Sequence, residues 1–80
     1  MDDSTIHERI EQLVDEEHAL WHRQTEGAID DETRRRLYEL QVALDQLWDL
    51  LRQRKALRRA HLDPDKAEVR PAEIVENYRQ

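Results

Sequence analysis

The stretch DETRRRLYELQVALDQLWDLLRQRKALRRA, residues 31 to 60, decides how this chain folds. It contains neither Gly nor Pro, and Leu37, Leu40, Leu44, Leu47 and Leu51 step through it by threes and fours. That alternation keeps side chains on one face of a 3.6-residue helix, so the stretch predicts one long helix. Placed on a helical wheel, Leu37, Leu40, Ala43, Leu44, Leu47, Trp48, Leu50, Leu51 and Leu57 span about half the circumference, wider than a single partner helix covers. What lies on either side must supply that cover.

Upstream, Asp2, Asp3, Ser4 and Thr5 are all N-cap residue types, and Thr5 followed by Glu8 has the spacing of a capping box. A first helix is predicted over about 4–26, with Ile6, Ile10, Leu13, Val14, Leu20 and Trp21 on one stripe and Glu8, Glu11, Asp15 and His22 opposite. Gly27, the one glycine, is the residue best able to take the left-handed conformation that closes a helix. Ala28 and Ile29 then cross to Asp30 or Asp31, which cap the second helix and, with Glu32, set negative charge at the positive end of its dipole. So short a connection makes the two helices an antiparallel hairpin.

Downstream, the helical pattern fails at His61-Leu62-Asp63-Pro64, where Asp63 can cap a single turn begun by Pro64. Arg70-Pro71 is a second break. Leu62, Val69, Ile74, Val75 and Tyr78 give residues 61–80 more apolar content than a free terminus carries, so this tail is expected to dock on the hairpin or on a partner subunit. Pro71 to Tyr78 reads either as a short helix or as an extended strap.

Eighty residues make one small domain, 1–80, with a modest core, and 40% charged residues with only four aromatics fit long surface helices. There is no Cys for a disulfide or thiolate site, the first residues are acidic rather than signal-like, and no apolar run suits a membrane span. A cytoplasmic protein is expected. The net charge of −6 opposes nucleic acid and anionic membranes as general partners. Its distribution is uneven: residues 1–33 sum to −9, 34–60 to +5 and 61–80 to −2. Antiparallel pairing sets Asp2, Asp3 and Glu8 beside Arg52, Arg54, Lys55, Arg58 and Arg59, which orients the hairpin.

The apolar width left around Leu47, Trp48, Leu50, Leu51 and Leu57 predicts an interface. A second copy would complete a four-helix bundle, so a homodimer is expected, with a further protein partner unidentified. Glu17 interrupts the stripe of the first helix, and a buried carboxylate needs a partner; residues near Leu40 lie level with it across the hairpin, and Arg36, on the edge of that face, is the predicted one. His18 and His22 stand four apart, a spacing that can hold a metal together with Glu17, but they lie on the polar face and the second helix offers no central acid. Arg52, Arg54, Lys55, Arg58 and Arg59 are the candidate nucleic-acid patch, without the interleaved aromatics that base stacking needs. With Ser4 as the one serine, at a cap, and no phosphate-cradling glycine loop, the chain reads as no enzyme and as needing no cofactor.

The segments LVDEEHALW, LYELQVALDQLWDLLRQRKALR and LDPDKAEVRPAEIVENY together resemble the short actinobacterial proteins of domain-of-unknown-function family twenty-six thirty. The resemblance spans nearly the whole chain. It implies a small bacterial helical protein and brings no activity, and it marks Glu16, Glu17, His18 and the proline-punctuated tail as parts of a recurring pattern. The functional expectation is an all-α, non-enzymatic interaction or accessory module. A metal-binding bundle and a nucleic-acid or RNA-polymerase-associated factor are the alternatives.

Overall fold

The computed structural model describes residues 1–25, 27 and 30–76, except the side chains of residues 24, 25 and 76. Glu26, Ala28, Ile29 and Tyr78, on which parts of the predicted connection and tail rest, lie outside the described residues. Helix α1 spans Asp3–Thr25, α2 spans Asp31–Arg59, a 3-10 turn spans Pro64–Lys66 and α3 spans Ala72–Glu76.

Asp2 caps α1: its Oδ1 accepts the Thr5 amide at 2.8 Å and its carbonyl accepts that of Ile6 at 3.1 Å. The capping box at Thr5 is therefore displaced by an earlier cap, whose charged oxygen suits the positive end of the dipole better than a hydroxyl does. Asp30 caps α2, accepting the Thr33 amide at 2.7 Å. At the other end of α2, the Leu62 amide donates to the Leu57 carbonyl at 2.8 Å and the His61 amide to that of Arg58 at 3.0 Å. These two bonds are a Schellman motif, which requires a left-handed residue. His61 takes that conformation at φ 60° at the end of α2, whereas Gly27, expected to take it at the end of α1, has no positive φ.

The chain pairs Asp3 with Arg54 and Arg58, and Glu16 with Arg36, so α1 and α2 run antiparallel as a hairpin. Ile6, Ile10 and Leu13 of α1 meet Leu40, Leu44, Leu47 and Leu50 of α2 in one buried cluster, with Val14, Leu20, Ala43, Leu51 and Ala67 at its margins. On the α1 side full burial ends at Leu13, and Glu17, where the stripe next comes round, is only partly covered.

After its reversal the tail returns along α2. Asp63 caps the 3-10 turn by accepting the Asp65 amide at 2.9 Å, residues 67–71 are not helical, and the Pro71 carbonyl begins α3 by accepting the Ile74 amide at 3.0 Å. The tail is thus a strap followed by a short helix, with Val75 only 2% exposed. Both its turn and α3 pack against α2. The radius of gyration, 15.0 Å, exceeds the roughly 12 Å of a compact domain this size. The molecule is a slab of 51 × 25 × 16 Å, and its thinnest dimension is less than two helix diameters of about 10 Å each.

Candidate functional site

Helical geometry divides α2 into three sectors. Its leucines face α1. About a third of a turn away, Gln46, Asp49 and Gln53 repeat the spacing of three and four with polar side chains, and the tail lies on them. The Gln53 amide group donates to the Glu68 carbonyl at 2.7 Å, and its oxygen accepts the Glu68 N–H at 3.2 Å, a two-way bond that reads backbone alone. Gln46 donates to the Arg70 carbonyl at 3.1 Å.

Asp49 is 0% exposed, and a buried carboxylate persists only where donors surround it. Arg70 supplies two, Nε to Oδ2 at 2.9 Å and Nη2 to Oδ1, and Gln53 Nε2 adds a third to Oδ2 at 2.9 Å. Arg52 lies 3.9 Å from Oδ1. The Arg70 fork, against the opposing effect of burial and with help from Gln53, holds the Asp49 carboxyl below its ordinary pKa.

One turn on, Arg54 is 6% exposed and joins three segments: it binds Asp3 of α1 through Nε, and through Nη1 the Pro64 carbonyl at 3.2 Å and Asp65 at 3.0 Å. Arg58 completes the node with two bonds to Asp3, at 3.1 and 2.7 Å. Bonds from Arg58, then Arg54, push the Asp3 carboxyl down to about 2, and Asp3 and Asp65 raise the Arg54 guanidinium.

The third sector is open. His7 of α1 packs edge-on against Trp48, ring centroids 6.3 Å apart, which places the His7 side of α1 beside the Trp48 side of α2. Val14 and Trp21 follow His7 by seven and fourteen residues, about two and four turns, and so lie on the same side. Trp21 and Trp48 remain 48% and 45% exposed.

Against these positions the predicted sites fare unequally. Arg36 does not pair with Glu17. It grips Glu16 with two nitrogens, one at 2.9 Å, and reaches Glu39 at 3.4 Å, lowering the Glu16 pKa. The pair is a surface one, 45% and 40% exposed, with Glu16 on the flank of the α1 stripe. His18 and His22 are exposed, and among the described residues no group of three His, Asp or Glu is placed to hold a metal. Of the basic run, Arg54 is buried, Arg58, 45% exposed, pairs with Asp3, and Arg52, Lys55 and Arg59 lie exposed. Leu47 and Leu50, 7% and 4% exposed, are covered within the one chain and offer a second copy nothing; Leu51 and Leu57 are partly covered, and Trp48 is open. Asp49, Gln46, Gln53 and Arg70 escaped the sequence reading, although a polar stripe at helical spacing ahead of a proline-broken tail was the signal.

The model of the family described as Protein of unknown function (DUF2630) matches residues 2–80. Uncharacterized proteins of Mycobacterium tuberculosis and Mycobacterium bovis are each 47% identical over 77 residues, covering 95% of this chain and 88% of their own. No solved structure matches. No described helix is long and apolar enough to cross a membrane.

Proposed function

The chain belongs to the DUF2630 family, and from that premise, which carries no activity with it, we propose that it is a non-enzymatic interaction module that works as a homodimer. The carrying observation is the open sector of the hairpin, where Trp21 and Trp48 stand nearly half exposed while the tail occupies the other free side of α2. Exposed tryptophans are enriched at the centres of protein interfaces because they remove large area from water at small entropic cost. A second copy related by a two-fold axis would lay one open face on the other, giving a four-helix bundle with the two tails outside.

Analytical ultracentrifugation of the full chain tests this reading. A dimer at low micromolar concentration is expected, with Trp21→Glu/Trp48→Glu becoming monomeric at unchanged helicity. A well-folded wild-type monomer at high micromolar concentration would refute it.

A further inference from the structure

The open face of the hairpin carries a ladder of side chains. His7 and Trp48, in edge contact, form its first rung. Seven residues on along α1 and seven back along the antiparallel α2 stand Val14 and Gln41, and seven further stand Trp21 and Arg34. The Glu16 and Arg36 pair falls between the second rung and the third, so the three rungs are level across the hairpin and about 10 Å apart. We infer that the second copy crosses this ladder on a two-fold axis perpendicular to the helices, through the rung of Val14 and Gln41, so that α1 packs on the partner's α1 and α2 on the partner's α2. This rests on the homodimer reading and specifies which surfaces meet.

The face is self-complementary about that axis. A half-turn exchanges the outer rungs, bringing His7 to the partner's Trp21 and Arg34 to the partner's Trp48, a guanidinium on an indole face. Each contact occurs twice, as in any isologous interface. At the axis Val14, partly covered by its own chain, meets its own copy, apolar on apolar. Gln41 likewise meets its own copy, and each amide has both a donor and an acceptor to exchange. Between the rungs, Glu11 stands three residues before Val14 and His18 four after it. The half-turn therefore brings each Glu11 carboxylate to a ring N–H of the partner's His18.

Glu11, His18 and Gln41 are exposed and make no hydrogen bond or ion pair among the described residues. Arg34, its side chain 69% exposed, lies 3.9 Å from Asp31, itself at the surface. All four can turn to a partner without breaking a buried contact. The other two-fold that lays face on face runs parallel to the helices and sets α1 on the partner's α2. It would place Val14 on the partner's Gln41, apolar on polar, and would part Glu11 from His18.

The chain has no cysteine, so one introduced thiol reports the axis. Gln41→Cys, oxidised in the full chain at a concentration where sedimentation shows a dimer, should become disulfide-linked nearly completely, because two copies of a residue on the axis are neighbours. Lys55→Cys, on the same side of α2 seven residues beyond Trp48, would stand about 40 Å from its copy and should stay unlinked. A dimer in which Gln41→Cys links no better than Lys55→Cys would overturn this axis and leave the homodimer standing. A monomeric wild type would overturn both. Independently, Glu11→Arg should weaken the dimer several-fold, and Glu11→Arg/His18→Glu should restore it to within about twofold. A double variant as weak as the single one would overturn the contact between Glu11 and the partner's His18.

Discussion

Against α1, α2 presents Leu40, Leu44, Leu47 and Leu50; against the tail it presents Gln46, Asp49 and Gln53. Both seams follow the same helical spacing, yet they hold by different physics. Leucine contact is non-directional and grows with area removed from water, so it tolerates small shifts and fails only when volume is lost. The polar seam is directional. Gln46 and Gln53 bind tail backbone, Asp49 binds Arg70, and each bond exists only at one register. The leucine seam carries the hairpin, and the polar seam fixes the register at which the tail, with Val75 buried and Ala67 against the core, lies on α2.

The sharpest way to break the comparison is Leu40→Ala. Leu40 is 1% exposed at the centre of the apolar seam, and its truncation should cost about 2–5 kcal/mol, a large share of the stability of an 80-residue domain, read as a fall in denaturant midpoint. Both seams should be lost together. If the tail stayed protected while the hairpin melted, the assignment of the leucine seam as the foundation would be wrong.

Asp49→Ala should separate the two. Removing the carboxylate takes the shared acceptor from Gln53 and from Arg70, which is 35% exposed, so the cost falls on the tail seam, about 1–3 kcal/mol. Hydrogen exchange at Glu68 should accelerate by an order of magnitude or more while the exchange of α1 and α2 amides stays slow.

Acid should weaken both polar nodes in one window. The carboxyls of Asp49 and Asp3 have lower pKa values folded than the ordinary 3.8, so they contribute stability that is complete above about pH 4 and is lost as the pH falls, for Asp3 through about 2. Thermal melts should show a flat midpoint from pH 7 to 5 and a steep fall below 4. A midpoint unchanged at pH 2.5 would contradict the role given to these pairs.

The smallest effect concerns the turn between the seams. His61→Gly relieves a side chain held at φ 60°, and should stabilise by about 0.5–1 kcal/mol without altering the tail's exchange. Destabilisation would mean that the imidazole itself does work at the reversal.

Much of the apolar seam was legible beforehand. Leu37, Leu40, Leu44 and Leu47 announce a helix face by spacing, the Asp30 cap and the Asp63-Pro64 turn announce its limits, and the opposed charges at Asp3 and Arg58 announce the pairing direction. The tail seam was hidden because a glutamine or aspartate on the outer side of a helix has the same sequence appearance whether it meets water or backbone. Glu17 misled for the related reason that a wheel gives angles and no packing: Arg36, at the edge of the α2 face, reaches Glu16 on the flank of α1 instead.

By itself the sequence determined the periodic facts: two long helices, their antiparallel order and the breaks that make a tail. These follow from local propensity and from which side chains shun water, and both are properties of neighbouring residues. Only the tertiary structure decided that Asp49 is buried and that Arg70 meets it twenty-one residues on. Those facts depend on where a chain reversal at His61 sends the tail, and the spacing of Gln46, Asp49 and Gln53 does not by itself say whether they meet water or backbone.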